Sequence, residues 1–269
     1  MGSTRPAAVA GMFYPRDPHE LALTVGSLLA AVRRQSPAPI PKAIIAPHAG
    51  YIYSGPIAAS VYALLEPARG RIRRVVLMGP THRVPVQGLA LPAADAFATP
   101  LGKVPVDAEA VATVSKLPQV VRNAAAHALE HSLEVHLPFL QTVLDSFAVV
   151  PFAVGYADAA QVAEVLEVLW GGPETLIVIS SDLSHYHPYR DAQAIDRRTA
   201  GEILELRTDI THEQACGATP VIGLGLAAQR RRLRPRLLDL RNSGDTAGDP
   251  GRVVGYGAFA YYEDGGDER

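Results

Sequence analysis

Three stretches of the chain share one pattern, a short run rich in Ile and Val that halts and then hands over to histidine or aspartate. The run in AIIAPHAGYIYSG stops at Pro47-His48, and that in RRVVLMGPTHR stops at Gly79-Pro80 and delivers Thr81 and His82. The run in ETLIVISSDLSHYH delivers Ser180, Ser181, Asp182, His185 and His187. Apolar runs this short, with little alternation, read as strands buried on both faces. In open α/β sheets such strands are parallel, and ligands bind beyond their carboxyl ends. The pattern predicts an α/β fold in which His48, His82 and the Asp182/His185 loop meet in one cleft.

Helical periodicity fills the intervals. Residues 19–33 carry apolar side chains at helical spacing and are followed by a loop over 35–41. Ser54 is placed to cap a helix with Pro56 in its first turn. Residues 106–117, 158–169 and 192–206 read as further helices, 86–106 as a hairpin-like region, and FAVVPFAV and RVVGYGAFAYY as strands. The apolar stretch 221–228 precedes Arg230, Arg231, Arg232, Arg234 and Arg236, a cationic run that suits a helix C-terminus. At 269 residues and 48% hydrophobic content, with no compositional break, repeat or long linker, one domain is expected.

A formal net charge of -2 offers no field to hold a polyanion, so nucleic acid is not an expected partner. Residues 43–65 lack Asp, Glu, Lys and Arg and are long enough to span a bilayer, yet His48, two prolines and two glycines interrupt them. They read as core, not membrane. The lone Cys216 precludes an internal disulfide, and the N-terminus lacks a signal-peptide pattern; a cytoplasmic location is the expectation. A phosphate loop, a G-x-S-x-G elbow and a C-x-x-C pair are all absent from the sequence.

Neutral imidazole offers a lone pair at pH 7, which makes strand-end histidines such as His48 and His82 candidate metal ligands; a structural role bonded to backbone is the alternative for each. Asp182 and His185 lie three residues apart and suit orienting, ligating or acid–base roles, or else a plain Asx turn. In EHSLEVHLPFL, Glu130 and Glu134 share a face if that segment is helical, and His131 and His136 support either a site or the fold. His127 reads as exposed. Asp245, in the glycine-rich NSGDTAGD, turns either into the cleft or into solvent. Cys216, at a helix start, has its thiol pKa lowered by the dipole in one reading and is an inert buried thiol in the other. Tyr51, Tyr53 and Tyr186 are candidates for stacking on a ligand.

RPAAVAGMFYP, APHAGYIYSGPIAA, GPTH, EHSLEVHLPFL, SSDLSHY, the cysteine-glycine helix start and the final VGYGAFAYY occur in this order from about residue 5 to residue 262. With them the chain resembles the Memo family, which includes the prokaryotic AmmeMemoRadiSam system protein B. The resemblance implies a Memo-like domain over 5–263, built as an α/β(α) sandwich with a central mixed, largely parallel sheet like that of the class III extradiol dioxygenases. It also implies a non-haem metal site, with His48 and His82 as ligands and Asp182 and His185 in the matching SSD-x-x-H loop. In the eukaryotic pattern of the family the third ligand is a cysteine ten residues before the final tyrosine. Counted back from Tyr256, that position is Thr246, and Asp245 is the nearest replacement. His48, His82 and Asp245 would then form the two-histidine, one-carboxylate set that suits iron(II), with copper the alternative. His185, with Asp182 and His131 beside it, would carry acid–base work in a dioxygenase-like oxidoreductase. A cleft that only binds a small molecule or peptide is the competing expectation, and a radical-SAM protein and an AMMECR1-type protein are the partners implied.

Overall fold

The computed structural model describes residues 2–32 and 39–263; Arg33 and most of the loop expected over 35–41 lie outside the described residues. The strands are β1 (Thr4–Arg5), β2 (Ala43–Ala46), β3 (Arg74–Pro80), β4 (Leu89–Leu91), β5 (Ala96–Thr99), β6 (Gly102–Pro105), β7 (Val120–Arg122), β8 (Ala148–Val154), β9 (Thr175–Ser180), β10 (His185–His187), β11 (Arg234–Asn242) and β12 (Val253–Tyr262). The helices are α1 (Pro18–Val32), α2 (Tyr51–Tyr62), α3 (Ala108–Val114), α4 (Ala124–Ala128), α5 (Leu137–Val143), α6 (Ala159–Val168), α7 (Tyr189–Leu204) and α8 (Ala218–Arg231).

Nine strands form the main sheet, in the order β10-β12-β2-β9-β3-β8-β4-β7 with β11 on β12. Its centre, β2-β9-β3-β8, is parallel throughout, as the three buried runs predict. The edges are antiparallel to this block through β12 on β2 and β4 on β8. A small second sheet, β1-β5-β6, contains the β5-β6 hairpin expected within 86–106, whereas β4 from the same region joins the main sheet.

Side chains of the central strands alternate between two apolar layers. Ile44, Val75, Leu77 and Val178 pack with Leu21, Val25 and Leu29 of α1 and with Ile57 of α2. Ile45, Val76, Met78 and Ile179 pack with Val165 and Leu166 of α6 and Leu224 of α8 on the other face. Both faces are thus covered, which is why these strands carry almost no polar residues. The result is the expected α/β sandwich.

Local chemistry explains several boundaries. Asp158 caps α6 in a capping box with Gln161, and Asp107 caps α3. Arg230 and Arg231 occupy the last turn of α8, as the cationic run predicts. At α2 the expectation fails: the helix starts at Tyr51 after Gly50, Ser54 donates to Ala49 O instead of capping, and Pro56 lies inside the helix. The earlier start follows from Tyr51 N finding an acceptor in Phe13 O at 2.8 Å.

Register places the functional ends level. Ala46 pairs with Ser180, Met78 with Ile179 and Pro80 with Val154, so the residues that follow β2, β9, β3 and β8 emerge on one edge. Gly79 lets a distant segment close onto this edge, since a Cβ there would stand 2.9 Å from Ser132 Oγ and 3.0 Å from Ser180 Cβ. Gly79→Ala is expected to cost about 1–3 kcal/mol in urea unfolding, because neither neighbour can retreat without breaking its own hydrogen bonds; an unchanged midpoint would show that the Ser132 segment yields freely.

Candidate metal centre

His48 follows β2 by two residues and is buried at 2% exposure, a low value for an imidazole without a packing reason. Its backbone N donates to Asp182 Oδ1 at 2.7 Å, which ties the loops after β2 and β9 together. Its Nδ1 lies 2.7 Å from Ser180 Oγ, and Ser180 Oγ donates to Ser132 O at 2.6 Å. A hydroxyl has one proton to give, so toward His48 it accepts, and Nδ1 carries the hydrogen. The lone pair of His48 therefore sits on Nε2.

His82 follows β3 and is held by one carboxylate twice. Its N donates to Glu130 Oε2 at 2.6 Å, and its Nδ1 meets Glu130 Oε1 at 2.8 Å. The same carboxylate accepts from His131 N at 2.9 Å and Ser132 N at 3.0 Å. Burial pushes the Glu130 carboxyl up, but the bond and charge of His82 and the amide donors outweigh it and hold the group down at about 2. A carboxylate only accepts, so His82 Nδ1 is the protonated nitrogen and Nε2 is free.

These two rings converge with a third. One ring nitrogen from each of His48, His82 and His131 lies within 4.8 Å of the other two, the only such group of potential ligands among the described residues. The His82 and His131 rings stack at 4.6 Å between centroids, and the His48 ring meets both edge-on, at 5.1 Å and 5.5 Å. Burial pushes His48 well below the usual histidine range, with the neighbouring histidines adding to the shift, and it lowers His131 to about 4. Both rings are neutral at pH 7, with lone pairs available to a cation. The residues fit a divalent metal: three converging imidazoles, with Nδ1 of His48 and His82 anchored so that Nε2 is presented.

Asp245 is not part of this group. It sits in a short turn after β11, where its carboxylate accepts from Asn242 N at 2.9 Å and from the Tyr189 hydroxyl. Turn chemistry claims the side chain, and His131 stands with His48 and His82 in its place. His131 thus stands among the potential ligands. His127 is buried, with Nε2 on Ala90 O at 2.8 Å, and is not exposed as the sequence reading had it. Tyr51 is core, its hydroxyl donating to Val135 O at 2.6 Å, whereas Tyr186 is exposed beneath the Arg252 guanidinium. Glu130 and Glu134 share no helix face, and their carboxylates accept from different donors.

Around the cluster stand Asp182, His185 and Cys216. Asp182 is buried; burial raises its carboxyl to about 7 against the lowering bond from His48 N and the charge of His82, and its Oδ2 lies 3.9 Å from His48 Nε2. No Asx cap forms, since Oδ1 is committed to His48. His185 Nδ1 lies 2.7 Å from Leu183 O, which can only accept, so its Nε2 also has a free lone pair. Burial lowers the His185 pKa, leaving a neutral imidazole. Next to it Tyr186 adopts φ 64°, a left-handed conformation that non-glycine residues enter at a cost. Cys216 Sγ lies 3.4 Å from His48 Nε2, and burial pushes its thiol up to about 12, opposite to the dipole effect expected of a helix start. A cleft of about 380 Å³ runs alongside, lined by residues that include His82, Arg83, Tyr156, His212 and Cys216.

With this geometry in view, comparison with known proteins is direct. A model of the family described as Memo-like protein matches residues 5–260. The chain belongs to the Memo family. A MEMO1 family protein of Aquifex aeolicus is 36% identical, over 94% of this chain and 97% of that protein. One from Methanopyrus kandleri is 35% identical, over 96% and 98%. A solved structure of an uncharacterized protein from Escherichia coli K12 overlaps 81% of this chain and 98% of its own, with a TM-score of 0.48 and 13% identity. Among the described residues of this Memo protein, no helix is long and apolar enough to cross a membrane.

Proton placement at His48 is open to test without a metal. Ring nitrogen shifts in metal-free protein should report His48 protonated at Nδ1. Ser180→Ala removes the acceptor and should move the hydrogen to Nε2, next to the thiol; identical His48 signals in the two proteins would refute the assignment.

Proposed function

We propose that this Memo protein holds one divalent transition metal on His48, His82 and His131 and acts as a metal-dependent oxidoreductase of the dioxygenase-like type on a small molecule in the adjoining cleft. The observation that carries the reading is the convergence of three imidazoles, two from the ends of parallel strands and His131 from the turn before α5, near a fourth, His185, whose Nε2 lone pair is uncommitted. A bound redox-active metal such as iron(II) would supply Lewis acidity and electron transfer.

The chain's own groups do the rest. Ser180 and Glu130 keep the Nδ1 atoms of His48 and His82 occupied, so that neither ring turns. His185 takes a proton from the substrate at Nε2 and returns it, with its ring held by Leu183 O. Asp182 fixes the His48 loop through its amide and, titrating near neutrality, adds a second proton-holding group at the wall of the site.

Metal analysis of protein purified without chelators, then supplied with iron under anaerobic conditions, tests the reading. About one metal per chain is expected, and a loading below about one-tenth would sink it. The third donor is decided in the same assay. His131→Ala should weaken affinity by roughly 10-fold or more, whereas Asp245→Asn should leave stoichiometry and affinity unchanged.

Arg83 supports a substrate that carries an anionic group. It is the one cation among the non-histidine residues lining the cleft and lies close enough to His131 to lower its pKa; among the described residues no carboxylate pairs with it. A guanidinium in this setting recognises a carboxylate through charge-assisted hydrogen bonds of about 1.5–3 kcal/mol. Benzoate should therefore bind the metal-loaded protein more tightly than benzamide, and Arg83→Gln should erase roughly 10-fold of that preference. Equal binding of the two compounds to wild-type protein would remove the anionic substrate from the proposal.

A further inference from the structure

The RPAAVAGMFYP segment marks the family, yet it contributes no side chain to the cluster. Its residues converge on the ligand-bearing segment from behind. Arg5 is 6% exposed, and every branch of its guanidinium is used: Nε donates to His127 O at 2.7 Å, Nη2 to Glu130 O at 2.6 Å, and Nη1 pairs with the Glu134 carboxylate. Glu134, fully buried, also accepts from Ala8 N at 2.8 Å, Val9 N at 3.0 Å and the Tyr14 hydroxyl. The same segment reaches two ligand loops directly. The Phe13 ring packs 4.7 Å from that of His131, and Phe13 O accepts from Tyr51 N, just beyond the loop that carries His48.

A buried ion pair adds little net stability over an apolar filling of the same space, because desolvation offsets most of its Coulomb attraction. What an arginine fork adds is direction, since its donors lie in one rigid plane. Here two of those donors grip the carbonyls of His127 and Glu130, the second belonging to the residue whose carboxylate orients His82 and His131. We propose that Arg5 is a positioning residue of the metal centre: anchored by Glu134, it fixes the Glu130 backbone and so sets where the His82 and His131 nitrogens stand. This rests on the metal reading above and extends it to a segment far from the cluster in sequence.

Arg5→Lys separates the two roles. Lysine keeps a cation for Glu134 but loses the planar fork, so it cannot hold both carbonyls in the same geometry. Cobalt(II) titration of the full chain, followed by absorbance, should show affinity weakened by roughly 10-fold or more in Arg5→Lys. Val25→Ala, which removes core volume in α1, serves as a control for lost stability and should bind cobalt as the wild type does. Wild-type affinity in Arg5→Lys, or an equal loss in Val25→Ala, overturns the proposal. If Arg5→Lys does not fold, the neutral pair Arg5→Gln/Glu134→Gln replaces it with the same two outcomes. If wild-type protein binds no cobalt, the metal reading fails by itself, and ring nitrogen shifts in metal-free protein then decide the role of Arg5. Altered His82 and His131 signals in Arg5→Lys uphold positioning, and unaltered ones overturn it.

Discussion

The Glu130 carboxylate is the interaction on which the site depends. Two oxygens take four donors, from His82 N, His82 Nδ1, His131 N and Ser132 N, with almost no solvent contact. An unpaired carboxylate in such a place would carry a desolvation penalty of several kcal/mol, and this donor set offsets it. The same set joins the loop after β3 to the segment before α5, which no strand pairing holds together. Ser132 completes the junction by donating to Pro80 O, and its carbonyl receives the Ser180 hydroxyl.

The parallel block explains why so few residues are needed. Once β2, β9 and β3 are in register, the loops after them start level, and short links then suffice: His48 N to Asp182, and His48 Nδ1 to Ser180. The β-sheet supplies the coarse position, and side-chain hydrogen bonds supply the orientation. Cys216 is brought up by a different route, at the start of α8, where Gly217 N donates to Ser181 Oγ at 3.0 Å. A Cβ at Gly217 would lie 2.6 Å from Ser180 O, so only glycine lets this helix start approach the β9 loop so closely.

What could be read from the sequence follows the same division. His48, His82, Asp182 and His185 were legible because each follows an apolar run, and a strand end is a local signal. His131 was legible as a site residue but not as a partner of His48 and His82, because it lies in an aperiodic turn whose place depends on Glu130 reaching residues far away in the chain. The reading of Asp245 as a ligand came from counting along a motif, but the competing local chemistry was stronger there: an aspartate three residues after Asn242 closes a capped turn with it. His127 was misjudged for want of its partners, Ala90 O and the Phe97 ring, which belong to elements paired only in the folded sheet. The start of α2 depended likewise on Phe13, remote in sequence.

The three imidazoles come from well-separated stretches of chain, and none lies within a few residues of another. A contiguous chelating motif survives in an unfolded polypeptide, but this one does not: the nitrogens come together only when β2, β3 and the Glu130 segment are all in place. Any ligand that needs all three therefore binds the native state alone, and its binding free energy adds in full to the stability of the fold. At a free ligand concentration 100 times Kd that increment is about 2.7 kcal/mol, a sizeable share of what holds an ordinary domain together. Occupancy of the cleft and persistence of the folded chain would then be one quantity, seen from two sides.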